Sequence, residues 1–487
     1  MLFNSFTFLI FFPLVTAGYF LLPHRWRWAW LLAASCCFYM YFIPIYILVL
    51  GVTIVVDYCA GPLIAGAEGG RRKWFLGLSI AANVGVLAVF KYFNFANGNL
   101  DALAKAIGWN YPVGYLTLAL PIGLSFHTFQ AMSYTIEVYR GRQKPELHFG
   151  IYALYVMFYP QLVAGPIERP QNLIHQFRER HYFDYDRVVS GLRLKAWGLF
   201  KKSFVADRLA PLVNQVYGHP SQSGGPALTM ATIAFAFQIY YDFSGYSDVA
   251  IGAARIMGFR LMNNFDQPYH SQSIAEFWRR WHISLSTWFR DYLYIPLGGN
   301  RVARPRWCLN VFLVFLISGL WHGANWTYVI WGAIHGAGLI VGAASENLRA
   351  RFAAVTGLTH WPGLHARLRV LMTFTLVSIA WIFFRAGSLP DAWQIFSRLG
   401  TRWPELLRVN GLQEVLDGLG VSGSKLILGV TGILIVESFG LLQLRRPVLL
   451  RVAVWPWWVR WSLYYAVVCA VVFFSLQRNT QFIYFQF

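Results

Sequence analysis

The most constraining feature of this sequence is a succession of apolar segments that are candidates for crossing a lipid bilayer as helices. One crossing takes about 20 mostly apolar residues, and roughly a dozen segments approach that length. Examples are Phe6–Leu22, Ile45–Ile64, Tyr115–Val138, Ala227–Tyr240 and Leu426–Leu442. Hydrophobic residues make up 57% of the 487 residues and charged residues only 13%, whereas soluble proteins carry about 25% charged residues. The sequence therefore predicts an all-α integral membrane protein and excludes a soluble enzyme.

The charge is strongly positive, with 41 Lys and Arg against 21 Asp and Glu. Most basic residues form short clusters between apolar segments, such as Arg71-Arg72-Lys73, Lys201-Lys202, Arg301–Arg306 and Arg445-Arg446. This distribution is typical of cytoplasmic loops that face an anionic leaflet. We therefore predict membrane lipid as a partner and no binding to nucleic acid.

One segment with helical periodicity does not suit a lipid-facing helix. Residues Glu276–Pro296 carry Arg279, Arg280, His282 and Arg290. Charged side chains at membrane depth are tolerated where they border protein or a water-filled cavity. We therefore expect this segment to lie at the interface or to re-enter the membrane beside a cavity.

Polar side chains next to apolar runs are the first candidates for function, because burying them in a membrane is costly. Three clusters qualify: Tyr241–Asp248, the basic segment around His282, and Trp321–Asn325 with His335 after it. The candidates for lining the cavity are Tyr241, Asp242, Ser244, Arg279, Arg280, Ser286, Trp321, Asn325 and His335. The alternative for the first cluster is structural: Asp242 and Asp248 close a helix end or pair with Arg279 or Arg280.

His322 is the leading candidate for acid–base chemistry, because it lies between glycines at the end of an apolar run. A neutral imidazole accepts a proton from a hydroxyl or thiol near pH 7. The alternative is a hydrogen-bonded packing histidine, and His282 and His335 raise the same two possibilities with less force. A zinc site of the three histidines has no HxxxH or HExxH spacing to support it, so we predict no metal. No GxSxG elbow and no P-loop occurs, which argues against a serine hydrolase and an ATP-driven pump.

Long motifs follow one another along most of the chain. They are YDFSGYSD at Tyr241–Asp248, EFWRRWHISLSTW at Glu276–Trp288, RDY at Arg290–Tyr292 and LWHGAN at Leu320–Asn325. Shorter ones include Pro121–Phe126, Asn264–Pro268 and Tyr484–Phe487. Together they resemble the membrane-bound O-acyltransferase (MBOAT) family, and within it the bacterial polysaccharide O-acetylase branch. The resemblance implies a single membrane domain over residues 1–487, in which tilted transmembrane and re-entrant helices form a ring around a central tunnel.

The resemblance also implies a function. The family's membrane-embedded histidine matches His322 and its second histidine matches His282, so both are expected to be catalytic. Acetyl-CoA is the implied donor, entering from the cytosol, and an exported polysaccharide is the implied acceptor. The implied setting is a bacterial inner membrane, with polysaccharide biosynthesis and export machinery and a periplasmic SGNH-type acetyltransferase as partners. Two alternatives remain open: a lipid O-acyltransferase of the same superfamily, and a transporter without covalent chemistry.

The C-terminal region supports two further predictions. Arg445, Arg446, Arg451 and Arg460 precede the last apolar segment, so that segment is expected to deliver the C-terminus to the periplasm. Tyr484 carries the only hydroxyl of the final seven residues, and it is a candidate acyl relay, activated by a base such as His322. The alternative is that the aromatic tail is an interfacial anchor.

Overall fold

All regular secondary structure is helical in the described residues, 1–408, 410–445, 452–475 and 482–483 of the computed structural model. The α-helices are α1 Phe6–Leu21, α2 His24–Met40, α3 Tyr46–Gly66, α4 Gly69–Leu87, α5 Phe93–Ala106, α6 Leu124–Tyr139, α7 Phe149–Met157, α8 Tyr159–Leu162, α9 Pro170–Leu173, α10 Tyr185–Leu199, α11 Asp207–Gly218, α12 Gly225–Met257, α13 Ile274–Arg280, α14 Ile283–Phe289, α15 Arg304–His322, α16 Trp326–Ala344, α17 Glu346–Val355, α18 Pro362–Arg385, α19 Leu389–Arg398, α20 Gly411–Gly418, α21 Gly423–Arg445 and α22 Trp457–Ser475. Short π-helical segments lie at Ala88–Tyr92, Phe200–Ala206 and Arg290–Tyr294, and 3-10 turns at Ile174–Arg178, Pro268–His270, Leu358–His360, Trp403–Leu407 and Val452–Val454. The all-α prediction is confirmed.

Five helical segments are long and apolar enough to cross a bilayer: Tyr46–Gly66, Gly69–Ala106, Trp326–Ala344, Pro362–Arg385 and Gly423–Gln443. Phe6–Leu21 and Trp457–Phe473 are apolar but shorter. These helices expose large apolar side chains, such as Leu48 on α3 and Ile427 on α21. Contiguous apolar surface of this kind requires an apolar surrounding, so the helices suit a multi-pass membrane protein.

Two predicted spans differ from the observed helices. Tyr115–Val138 was expected to be one helix, but helix α6 begins only at Leu124. The residues before it form no regular secondary structure, and Pro121 and the left-handed Gly123, with φ of 77°, directly precede the helix. Ala227–Tyr240 was expected to stop before the polar run, but α12 continues through it to Met257.

Contacts divide the described residues into two compact units. The first contains residues 1–198, 246–262, 475 and 482–483, and the second contains the described residues of 199–245 and 263–474. In the first unit, α2 packs on α7, and α3 packs on α4 and α6. In the second, α16 packs on both α15 and α18. The division into units does not test the predicted single domain, which stays a prediction.

Helices α15 and α16 approach closely because each presents a glycine to the other. A Cβ atom on Gly319 would lie 2.2 Å from the carbonyl oxygen of Tyr328, and one on Gly332 would lie 2.2 Å from that of Phe315. Neither position has room for a side chain, and such small-residue contacts are a common way for membrane helices to associate. The close contact places His322, at the end of α15, against Trp331 on α16.

The charge of the basic pair Lys201-Lys202 predicted a loop, but the pair does not lie in one. Both lysines are buried within the π-helical segment Phe200–Ala206, which joins α10 to α11. Buried cations require partners, and these partners belong to the candidate site.

Candidate active site

His322 ends helix α15 inside an aromatic enclosure. Its ring centroid lies 4.9 Å from that of Trp321, 5.0 Å from that of Trp331 and 5.4 Å from that of Phe384. The side chain is almost fully buried. Aromatic side chains therefore surround the imidazole.

Close packing at Gly323 and the helix cap at Asn325 determine the conformation of the turn after His322. A Cβ atom on Gly323 would lie 2.1 Å from the ring of Tyr328, so only glycine fits there. Asn325 then begins α16: its side chain accepts a hydrogen bond from the Thr327 amide at 3.0 Å and donates one to the Gly387 carbonyl at 3.3 Å. Asn325, a predicted cavity residue, therefore acts at least as the N-cap of α16.

His282 separates α13 from α14 and has a left-handed backbone, with φ of 41°. Trp281 and His282 interrupt what the periodicity predicted as one helix over Glu276–Pro296. Non-glycine residues in this conformation are strained and occur most often at functional positions. The side chain of His282 is fully buried, and burial lowers its pKa to about 3. The ring is therefore neutral at physiological pH.

Asn264 orients the His282 ring. Its Oδ1 atom accepts hydrogen bonds from the amide and the hydroxyl of Ser284, at 3.2 and 2.7 Å, and lies 3.3 Å from His282 Nδ1. Since the Ser284 amide only donates, the facing atom is an oxygen, and His282 Nδ1 must donate to it. The basic lone pair of His282 is therefore on Nε2.

Trp321 lies between the two predicted catalytic histidines. Its ring centroid is 4.9 Å from that of His322 and 6.4 Å from that of His282. Although 40 positions separate these histidines in the sequence, folding places them around one indole. This juxtaposition is the central feature of the site.

His335 lies on α16 within the same aromatic core. Trp278 Nε1 donates to His335 Nδ1 at 3.2 Å, and the imidazole stacks on Phe277 with an interplanar angle of 7°. Since Trp278 can only donate, a neutral His335 carries its proton on Nε2. His335 thereby connects α13, which leads into His282, to α16, which packs against His322.

The polar run on α12 forms a buried network within the second unit. Lys202 Nζ lies 2.6 Å from Asp242 Oδ1 and 2.7 Å from Asp207 Oδ1, and Lys201 donates to Ser244 at 3.0 Å. Burial acts to lower the pKa of Lys202, but the two carboxylates outweigh it and hold that pKa above its usual range.

The expectation that Asp242 closes a helix end was wrong. Asp242 lies inside α12, pairs with Lys202 and closes no helix end. Arg280 instead forms an ion pair with Glu276 at 2.7 Å.

The remaining sequence candidates are less closely tied to the histidines. Arg279 is exposed on α13, and the half-buried Ser286 donates to the Trp281 carbonyl at 3.1 Å. Tyr484 lies outside the described residues.

Two polar residues of the second unit, Glu437 and His270, were not identified from the sequence. Glu437 accepts a hydrogen bond from the Tyr241 hydroxyl at 2.6 Å and one from His270 Nε2 at 2.7 Å. A signal was present, since Glu437 interrupts the apolar segment Leu426–Leu442. An acid inside a predicted span is a functional candidate by default.

These residues suit proton transfer at a reacting hydroxyl. Two buried imidazoles lie near one indole, that of His282 is neutral with an assigned basic nitrogen, and aromatic side chains surround that of His322. The described residues contain no group of three or more His, Cys, Asp or Glu side chains that could hold a metal ion. The chemistry available here is general acid–base catalysis by imidazole.

The chain matches the sequence profile of the MBOAT, membrane-bound O-acyltransferase, family over residues 140–385. That region contains both histidines, and it leaves Glu437 and Tyr484 outside. A probable alginate O-acetylase, AlgI, of Pseudomonas aeruginosa is 41% identical over 453 residues, which cover 91% of this chain and 82% of the relative.

Two further relatives carry out other reactions on cell-envelope polymers, according to their names. A peptidoglycan O-acetyltransferase of Helicobacter pylori is 35% identical, covering 81% of this chain and 79% of the relative. A teichoic acid D-alanyltransferase of Streptococcus thermophilus is 28% identical, covering 56% of this chain and 69% of the relative. The similarity thus extends over polymers and acyl groups of several kinds.

Proposed function

Because the chain belongs to the membrane-bound O-acyltransferase family, we propose that it transfers acetyl groups from cytosolic acetyl-CoA across a bacterial inner membrane to an exported polysaccharide of the alginate type. In more general terms, it is a multi-pass membrane acyltransferase that takes part in polysaccharide modification. The observation that carries the proposal is the placement of His322 and His282 around Trp321. Similarity to the alginate O-acetylase AlgI over most of both chains favours acetyl as the acyl group and a polysaccharide as the acceptor.

In the proposed reaction, His322 removes the proton of an attacking hydroxyl. The hydroxyl oxygen bonds to the acyl carbon of the thioester, the carbon–sulfur bond breaks, and the proton passes from His322 to the leaving thiolate. His282, with its basic Nε2, orients the thioester or the acceptor. Excluding water matters here, because hydrolysis of the thioester is the competing reaction.

The proposal is tested in the native host after removal of the chromosomal gene. Loss of the gene is expected to remove ester-linked acetate from the exported polysaccharide, and a plasmid copy of the chain is expected to restore it. Acetate released by mild alkali and measured per unit of polymer is the readout. An unchanged acetate content in the deletion strain, with no second family member expressed, would contradict the proposed acceptor.

The proposed orientation places Arg445, Arg446, Arg451 and Arg460 in the cytoplasm and the C-terminus in the periplasm. It is supported by these four arginines, which lie close to the start of α22 in the sequence, since Lys and Arg are retained on the cytoplasmic side. A single cysteine introduced beside Arg446, in a chain lacking its five native cysteines, is expected to resist a membrane-impermeant thiol reagent in intact cells. It should react after the inner membrane is permeabilised. Labelling in intact cells would contradict the proposed orientation.

Tyr484 is proposed as the acyl relay on the periplasmic side. Its phenol, activated by a base such as His322, would take the acetyl group and pass it to a periplasmic SGNH-type transferase. Tyr484→Phe keeps the aromatic ring and removes only the hydroxyl. We expect this variant to be expressed normally and to lose acetylation of the polymer. Full acetylation of the polymer would contradict the relay and would leave the tail as an interfacial anchor. Tyr465→Phe on α22 serves as the matched control.

A further inference from the structure

Glu437 is an acid in the middle of an apolar helix that is long enough to span a membrane. Such a carboxylate is costly unless protein groups satisfy it. Both of its oxygens are satisfied: Oε1 by the buried hydroxyl of Tyr241, and Oε2 by Nε2 of His270. Glu437 therefore fastens α21 to α12 and to the short turn at Pro268–His270.

That turn is the C-terminal end of segment 264–270, whose N-terminal residues form hydrogen bonds with residues 280–283. The Asn264 carbonyl accepts from the Ile283 amide at 2.9 Å, and the Asp266 amide donates to the Arg280 carbonyl, also at 2.9 Å. The Asn264 side chain faces Nδ1 of His282. One end of segment 264–270 thus positions the catalytic imidazole, and the other end is held by Glu437.

The backbone is strained at Gln267, within segment 264–270, and at His282, against which Asn264 of that segment lies. Gln267, with φ of 47°, and His282, with φ of 41°, are two of the three non-glycine residues with positive φ among the described residues. Strained conformations persist only where surrounding contacts enforce them. At Gln267, helix α21 supplies that support, because a Cβ atom on Gly440 would lie 2.1 Å from Gln267 Nε2. Helix α21 therefore holds the strained segment at Gln267 as well as at His270.

We infer that Glu437 is a positioning residue for His282. It acts through His270 and segment 264–270, which keep Asn264 against the His282 imidazole. The inference rests on the proposed function, in which His282 is part of the active site. It assigns a role to a helix outside the region that matches the family, residues 140–385.

The physical link is tested without any activity measurement, by backbone hydrogen exchange of the full chain in lipid nanodiscs. Glu437→Ala removes both hydrogen bonds, Glu437→Gln keeps the side-chain shape and an acceptor oxygen, and Ser438→Ala is an exposed control on the same helix. We expect Glu437→Ala to speed exchange of the amides of Asp266 and Ile283 by about tenfold or more, because local opening becomes easier. Exchange in α15 should stay unchanged, and Glu437→Gln should lie between the other two. Unchanged exchange over residues 264–283 in Glu437→Ala would overturn the inference.

Activity then shows whether the link reaches the chemistry. Glu437→Ala is expected to lower the rate of polymer acetylation by about 10- to 100-fold, the usual effect of slightly misplacing a catalytic group. Asn264→Ala should lower the rate by a similar factor. The double variant should be only slightly less active than the less active of the two single variants, since both substitutions act through His282. Independent, multiplying losses would overturn the inference.

Failure of the inference is distinguishable from failure of the proposed function. If His282→Asn is folded and inactive but Glu437→Ala is fully active, the imidazole of His282 is catalytic and Glu437 does not position it. If His282→Asn retains full activity, the proposed role of His282 is wrong, and the positioning role of Glu437 falls with it.

Discussion

Replacing His322 with alanine is expected to lower acyl transfer by about 10²- to 10⁴-fold, the range over which a general base contributes to catalysis. The rings of Trp321, Trp331 and Phe384, which surround the imidazole, carry no basic nitrogen, so none of these three side chains can replace it as a base. The rate of ester formation on the polymer, normalised to the amount of inserted protein, measures the effect.

Two controls separate chemistry from folding in this experiment. Removing the ring leaves a small cavity among aromatic side chains, so thermal unfolding in detergent is compared with that of the parent protein. His360→Ala removes an exposed histidine from the 3-10 turn Leu358–His360 and is expected to have full activity. A folded His322→Ala protein with the parent rate would make His322 a packing residue.

Replacing His282 is expected to reduce turnover strongly, by about 10²-fold, because the group that orients the reacting partner is lost. Alanine alone is an ambiguous substitution here, since the left-handed backbone at this position penalises it. Asparagine tolerates that conformation better, so His282→Asn preserves the break between α13 and α14 while removing the imidazole. Unfolding temperature and turnover are measured for both variants.

The comparison of the two His282 variants is decisive. If both are inactive and His282→Asn keeps the parent unfolding temperature, the loss belongs to the imidazole. Unchanged kinetics in His282→Asn would place the α13–α14 segment outside the chemistry.

The helices and the histidine pair follow from features that are local in sequence. Apolar runs with glycines at contact positions specify helices such as α15 and α16, and a polar motif next to an apolar run marks His322. The extent of α12 was not predictable in the same way. Its polar run Tyr241–Asp248 looks like a helix end, but the helix continues through it, and the buried Asp242 within the run pairs with Lys202, which is distant in the sequence.

The polar partners were not predictable, because each depends on residues that are distant in sequence. Glu437 lies 167 positions from His270 and 196 from Tyr241, so no local pattern connects them. The break at His282 was missed for a related reason. Its left-handed backbone is maintained by Asn264, which lies outside the predicted helix.

The most direct test of the account is whether the purified chain breaks the thioester itself. The protein is reconstituted in sealed vesicles with acetyl-CoA labelled in the acetyl group and with the polysaccharide as the hydroxyl acceptor. The release of free CoA is measured together with label recovered as an oxygen ester on the polysaccharide or on the protein. The account predicts that both appear together with the parent protein and that both are lost with His322→Ala. Labelled acetyl-CoA that crosses the membrane intact, or ester formation at the parent rate in His322→Ala, would contradict it.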